Sequence, residues 1–278
     1  MTKVAKIAIV SAWVGPVPNE VRQARLNHER FAALHGYDYL HFDEKLVAPI
    51  QRLVQGDGDA HWIKPGIMRE ALKSYEWVFW TDLDSVFHDT SVAFDDLTAG
   101  NWDFVFTGDH NDLFNGGHLL LRRSDFSENL LNDWEALQKV PFPRLSTTQQ
   151  GPDGYVGDQI AMNYLLAGGS TLTEDVQRDA ATLVNRTNGW VGNPDRHRRR
   201  FAQTHAPTSK IRLLNARRLV SPKLRQHVKV VVQNRLNAYP WWGPKGARNR
   251  KGPIVHFVSP YKDLLSDYLW ARGPNPNN

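Results

Sequence analysis

The sequence predicts an α/β fold: a doubly wound, mainly parallel sheet with helices on both faces, followed by an irregular, basic C-terminal region. Three observations predict it. Short unbroken apolar runs such as KIAIVSA (6–12) and WVFW (77–80) read as strands covered on both faces. These runs alternate with stretches whose apolar residues recur at helical spacing, the pattern of right-handed strand-helix-strand crossovers. The chain has 278 residues, 41% of them hydrophobic, which is enough for one large core.

Taken in order, KIAIVSA is the first strand. Asn19 is a candidate N-cap for the helix that follows, and Gly36 can end that helix in a left-handed turn. Between them Val21, Ala24, Phe31, Ala32 and Leu34 lie at roughly helical spacing. YDYLHF (37–42) is the second strand. Pro65 suits the first turn of another helix running to about Tyr75. WVFW (77–80), DFVFT (103–107) and HLLLRR (118–123) are three further strands. FSENLLNDWEALQKV is an amphipathic helix, and DQIAMNYLLAGG is another that ends in glycine. Residues 141–157, rich in Pro, Gly, Ser and Thr, read as a long loop of the kind that often carries function. Beyond about residue 170 the pattern weakens, and the GPNPNN tail reads as disordered.

Composition narrows the function classes. There are no cysteines, so disulfides and thiolate metal sites are excluded. No stretch reaches the ~18–20 apolar residues of a membrane span, and MTKVAKIAIVSAW lacks the form of a signal peptide, so a soluble, cytoplasmic chain is expected. Without a secretory signal, the Asn185-Arg-Thr triplet carries little weight as a glycosylation site. The 10 tryptophans suit core packing or the binding of sugars and flat rings. The net charge of +5 is concentrated late in the chain: RHRRR at 196–200, then Arg217, Arg218, Lys223, Arg225 and Lys229, then KGARNRK at 245–251. Such a half can meet phosphates, nucleic acid or an anionic membrane face, or can simply be a solvated cationic surface.

The stretch EWVFWTDLDSVFHD (76–89) sets the chemistry. Ligands of open α/β sheets bind beyond the carboxyl ends of the strands, and Asp82 and Asp84 follow directly on WVFW. Residues two apart on an extended chain point to one side, so both carboxylates can face one point. Two anions held together repel unless a cation joins them, and a divalent metal is one answer. PIVHFVSPYKD (253–263) repeats the design, with a short apolar run presenting His256 and with Lys262 six positions on. Two carboxylates and an imidazole suit Mn²⁺ or a similar ion. Taken alone, each of these residues also has a structural reading, as a cap, a turn or a solvated charge.

The strand with D-x-D, the segments FNGGHLLLRRS (114–124) and GDQIAMNYLL (157–166), and HFVSPYK (256–262) occur in an order that resembles metal-dependent retaining glycosyltransferases of the GT-A fold. The resemblance spans residues 6 to 262. It is to the galactosyl- and xylosyltransferase family of yeast α-mannan and plant xyloglucan enzymes, and to the family of glycogenin and the lipooligosaccharide galactosyltransferases. It implies one domain over 1–278, with a donor-binding core at 1–170, an acceptor-side region at 171–270 that returns His256 and Lys262 to the site, and a tail at 271–278.

By that resemblance, Asp82, Asp84 and His256 bind Mn²⁺ (or Mg²⁺) on a donor diphosphate, and Lys262 contacts the diphosphate. Ser259 stands where the family's H-x-x-G-x-x-K motif has glycine, and Pro260 follows it. Ser11, Ala12 and Trp13 receive the base and ribose, and Lys64 and Arg69 flank the nucleotide. Thr81, Asp109, Asn115 and Gly116 bind the donor, and Asp158 and Gln159 lie against its reacting face as catalytic residues. The implied donor is a nucleotide sugar, UDP-linked by preference. The acceptor is a glycan, lipid, protein or DNA, the last kept open by the basic C-terminal half. From the residues alone, a basic polyanion-binding protein and a metal-dependent phosphoesterase or nucleotidyltransferase remain rival readings. Oligomeric state is not legible.

Overall fold

The computed structural model describes residues 6–53, 60–108, 113–143, 157–188, 217–239, 252–257 and 265. The elements are β1 (Ile7–Ala12), α1 (Asn19–His35), β2 (Asp38–Phe42), α2 (Glu44–Leu53), a 3₁₀ turn (Ala60–Ile63), α3 (Lys64–Leu72), β3 (Trp77–Thr81) and β4 (Ser85–Phe87). They continue with α4 (Asp95–Thr98), β5 (Phe104–Thr107), β6 (His118–Arg122), α5 (Asp125–Leu137), α6 (Asp158–Leu166) and α7 (Thr173–Asn188). The described part closes with β7 (Val228–Val231), α8 (Gln233–Leu236) and β8 (Ile254–His256).

The central sheet has six strands in the order β2-β1-β3-β6-β5-β7. β1 pairs in parallel with β2 and β3, and β5 with β7. β6 alone runs against both its neighbours, β3 and β5. The apolar runs are unbroken because alternate residues enter two different cores. Ala8, Val10, Val78 and Trp80 pack with residues of α3, α5, α6 and α7 on one face. Ile7, Ile9, Trp77 and Phe79 pack on the other with Phe31 and Ala32 of α1, Phe87, Leu97 and Leu236. The sheet is therefore wound on both faces, as the alternation predicts.

The expected helices form, with shifts at their ends: α5 stops at Leu137 rather than Val140, and α6 at Leu166 with Ala167 as its C-cap. Pro18, in extended conformation, occupies the N-cap of α1, and no side chain caps it. Asn19 is instead the first helical residue, because the rigid φ of proline already fixes the entry. The helix opened by Pro65 starts one residue earlier, at Lys64, and ends at Leu72 rather than near Tyr75. Gly36 closes α1 with φ 67°, a left-handed conformation that favours glycine. The Asn185 triplet falls in the last turn of α7.

The reversed strand places the site. β3 ends at Thr81, which is paired with His118, the first residue of β6. The carboxyl end of one strand thus lies beside the amino end of the next, and the Asp82 amide donates to the Gly117 carbonyl at 3.0 Å. A separate two-stranded antiparallel sheet pairs β4 with β8, setting Ser85 opposite His256. That pairing brings the C-terminal segment back to the acidic pair.

Candidate active site

Between β3 and β4 the chain turns through TDLDS, and local bonds hold the turn shut. Thr81 and Ser85 share a hydroxyl hydrogen bond of 3.0 Å, and the Ser85 hydroxyl donates to the Asp82 carbonyl at 2.6 Å. Leu83 is buried, whereas Asp82 and Asp84 are half-buried, so the intervening leucine anchors the turn while the carboxylates face outward. Trp80, two residues earlier on the strand, donates its indole N–H to Asp82 Oδ1 at 2.7 Å.

β8 delivers His256 to this turn. Its Nε2 lies 2.9 Å from Asp84 Oδ1, across 172 positions of sequence, and the Phe257 amide donates to the Asp84 carbonyl at 2.7 Å. Asp82, Asp84 and His256 each offer one ligand atom, all within 4.8 Å of one another. Two carboxylate oxygens and one imidazole nitrogen at that spacing fit a divalent cation of the Mn²⁺ type. This is the juxtaposition expected from the sequence.

A second cluster faces the first across Gly116. Lys64, the first residue of α3, is buried and donates to the Gly116 carbonyl at 3.0 Å. Its ammonium lies 3.2 Å from Asp158 Oδ2 and 3.6 Å from Asp82 Oδ1. Burial alone would push the lysine pKa down, but Asp158 and Asp82 outweigh it and hold the pKa above the ordinary lysine value. Lys64 is therefore a permanent cation joining Asp82 to the first residue of α6. Gly157, not Asp158, holds the N-cap position of α6, so the Asp158 carboxylate is directed to Lys64 and does not cap the helix. Trp134 fixes the start of α6 by donating its indole N–H to the Asp158 carbonyl at 2.8 Å.

Gln159 accepts from the Gly116 amide at 2.9 Å, so Lys64 and Gln159 hold the peptide groups on either side of one glycine. A methyl group on Gly116 would sit 3.4 Å from Lys64 Nζ and 3.6 Å from Asp158 Oδ2, which shows how near the backbone comes to both. Asn115 is buried, accepting from the Gly117 amide at 2.9 Å and donating to the Tyr239 hydroxyl at 3.2 Å. Its side chain thus shapes the FNGG turn as well as lining the site.

The other expected residues within the described part have partners of their own. Ser11, buried at the end of β1, shares a 2.5 Å hydroxyl bond with Tyr39, whose own pKa burial pushes up to about 12. Ala12 is half-buried at the strand end, and Trp13 donates its indole N–H to the Pro16 carbonyl at 2.9 Å. Arg69 is committed to α5: its guanidinium donates to Glu128 and Glu135 at 2.9 Å each and to Asn132 at 3.0 Å. Asp109 and Lys262 lie outside the described residues, as do both arginine-rich clusters at 196–200 and 245–251. Of the remaining basic residues, Arg225 donates to the Val220 and Arg218 carbonyls, and Lys229 to the Asp96 carbonyl, so both serve local structure.

Sequence reasoning missed Trp80, His118, Asn237 and Tyr239. Asn237 Oδ1 lies 2.7 Å from His256 Nδ1 and 3.0 Å from His118 Nδ1. Burial, aided by the neighbouring His256, holds the His118 pKa well below 6.5, so that ring is neutral. Only the Trp80–Asp82 spacing of two along a strand was readable in advance. The other three come from separate segments.

No family model matches the sequence, and no curated protein matches it. Solved structures do. A glycosyltransferase involved in glycosylation of the major capsid of the virus PBCV-1 is 12% identical, with a TM-score of 0.51 over 96% of this chain and 99% of that one. GlyE, a glycosyltransferase of Streptococcus pneumoniae, is 13% identical with a TM-score of 0.42, covering 96% of this chain and 60% of that one. Mouse xyloside xylosyltransferase 1 is 11% identical with a TM-score of 0.39, covering 92% and 99%. At these identities the likeness is one of fold, and the fold it shows over nearly the whole chain is the GT-A fold of glycosyltransferases.

Proposed function

We propose that this chain is a metal-dependent glycosyltransferase that moves a hexose or pentose from a nucleotide sugar to a hydroxyl acceptor, with retention at the sugar carbon. The observation that carries the reading is the Asp82–Asp84–His256 cluster, set at the carboxyl end of a central strand of a GT-A fold. Mn²⁺ fits the ligand set, and a UDP-sugar is the donor most in keeping with the sequence resemblance. The donor-binding half is 1–170, with the C-terminal segment supplying His256.

The departing nucleotide diphosphate gains negative charge while the sugar carbon becomes oxocarbenium-like. A cation held by Asp82, Asp84 and His256 supplies Lewis-acid stabilisation to those phosphates. Lys64 anchors the Asp158 carboxylate at 3.2 Å, where it can face the developing positive charge on the sugar. Gln159, tied to Gly116, and Asn115 hold the wall against which the sugar is placed. Lys262 and Asp109 belong to the same reading, as diphosphate and donor-hydroxyl contacts. Ser11 to Trp13 take the base and ribose, with Thr81 beneath the acidic turn.

The test is direct. The protein is incubated with a panel of nucleotide sugars, with and without Mn²⁺, and release of free nucleotide is followed. Metal-dependent release from at least one UDP-sugar is expected, and Asp84→Ala should abolish it without lowering the melting temperature. No binding or turnover of any sugar nucleotide would sink the reading. Salt-dependent retention on DNA then decides whether modified DNA belongs among the candidate acceptors beside glycans, lipids and proteins. Retention on DNA with no sugar-nucleotide turnover would favour a polyanion-binding protein instead. Among the described residues one group of metal-ligating side chains forms.

A further inference from the structure

The geometry points to Asn237 as the positioning residue for His256, fixing which ring nitrogen the histidine presents to the metal. The inference rests on the metal site of the proposed function and adds to it a residue far from D-x-D in sequence.

Asn237 is fully buried directly after α8 and is held against β8 by two backbone bonds: Ala238 N–H donates to Ile254 and His256 N–H donates to Ala238. Its side-chain oxygen is an acceptor only, and two imidazoles approach it through Nδ1, at 2.7 Å from His256 and 3.0 Å from His118. Both Nδ1 atoms must therefore carry hydrogen. For His118 the other nitrogen, Nε2, has no hydrogen-bond partner among the described residues, so nothing there calls for a second hydrogen. For His256, hydrogen on Nδ1 reserves Nε2 for the side where Asp84 and the cation site lie.

The ring cannot answer by turning. His118 packs edge-on to it with centroids 5.0 Å apart, and a methyl group on Gly117 would stand 2.4 Å from His256 Cε1. Sterics thus set the ring plane, and Asn237 sets the tautomer. Partners that orient a ligating histidine typically matter 10–100-fold in metal affinity.

The experiment compares Mn²⁺ binding by calorimetry in the wild type, Asn237→Asp and Asn237→Leu, each also melted without metal. The aspartate keeps an acceptor of the same shape, so its affinity should equal or exceed the wild type's. The leucine variant should bind about 10–100-fold more weakly. Where the leucine variant fails to fold, nitrogen-15 histidine spectra of the Zn²⁺-loaded wild type carry the test, with His256 and His118 both expected protonated at Nδ1. Equal affinity in all three proteins, or hydrogen on Nε2 of either ring in the Zn²⁺-loaded protein, overturns the assignment. So does a wild type that binds no Mn²⁺, which would also remove the metal site itself. Sugar-nucleotide turnover separates the two ideas. Asn237-dependent Mn²⁺ binding without any turnover leaves this inference standing and removes the glycosyltransferase reading. Turnover with Asn237-independent binding does the reverse.

Discussion

Replacing Lys64 by methionine tests whether the buried cation holds the two halves of the site together. Methionine keeps an unbranched apolar stem, one atom shorter, and removes the charge and its donors. Lys64 is 4% exposed, and the Asp158 side chain it pairs with at 3.2 Å is 9% exposed. Breaking a pair buried on both sides typically costs about 3–5 kcal/mol, because the remaining carboxylate is left without its counter-charge. The Asp82 contact is longer, at 3.6 Å, and its partner is 25% exposed, so water screens it and it adds little. For a chain of this size, a loss of about 3–4 kcal/mol lowers the melting temperature by roughly 10 °C. The double variant Lys64→Met/Asp158→Asn removes the stranded charge and should recover about 2 kcal/mol of that loss. Because the folded lysine pKa is raised, its contribution is complete at neutral pH and is lost only as pH climbs past the ordinary lysine value. Urea unfolding of the wild type, both single variants and the double variant at neutral pH gives the coupling. A Lys64→Met cost below about 1 kcal/mol, or strict additivity in the double variant, would refute the reasoning.

Three further outcomes follow from the same geometry. His28 is fully buried, donates to the Ser85 carbonyl at 2.9 Å, and has its pKa pulled by burial from 6.5 to about 4. The unfolded chain thus takes up the proton first as pH falls, so stability drops by about 3 kcal/mol between pH 6.5 and 4. His28→Leu should flatten that acid limb in urea midpoints, and an unchanged limb would contradict the burial argument. Gly117→Ala places a methyl 2.4 Å from His256 Cε1, and should cost about 1–3 kcal/mol together with most of the Mn²⁺ affinity. Gly116→Ala, with its nearest neighbour at 3.4 Å, should cost much less, and comparable losses in the two would show that the ring has room to move. Arg69→Ala should lower the melting temperature by a few degrees through the lost α3–α5 clip while donor KM stays put. A rise in KM at unchanged stability would return Arg69 to the nucleotide.

Four of the five strands legible in the sequence share one physical property. β1, β3, β5 and β6 are buried on both faces, so their apolar runs are unbroken and stand out from any flanking sequence. β4 has three residues, too few for periodicity to register, and Lys229 interrupts the apolar run of β7. α2 carries Pro49 inside it, which argues against a helix on local grounds, and α7 is mostly polar. The direction of β6 is a further case: HLLLR reads the same whether the strand runs up or down the sheet, because burial records the neighbours and not their polarity.

The same property explains which site residues could be read. Asp82 and Asp84 are visible because a strand buried on both faces ends abruptly in charge, a local event. His256 is visible because the short apolar run Ile254–Val255 leads directly into it. Lys64 is different. A lysine at the start of an apolar helix is ordinary in sequence, and its burial follows only from the approach of α6 and the Gly116 backbone to α3. Asn237 and His118 are more hidden still, since a neutral amide and a neutral imidazole carry no charge pattern to betray them, and they meet across 119 positions. Charged groups at strand ends announce a site because desolvating them would otherwise be costly, and the sequence must place them where a cation can arrive. The neutral groups that orient those charges meet no such constraint, since any buried pair of donor and acceptor satisfies them. Sequence patterns therefore favour the ligands over the residues that aim them, and the aiming residues emerge only when the register of β4 on β8 is known.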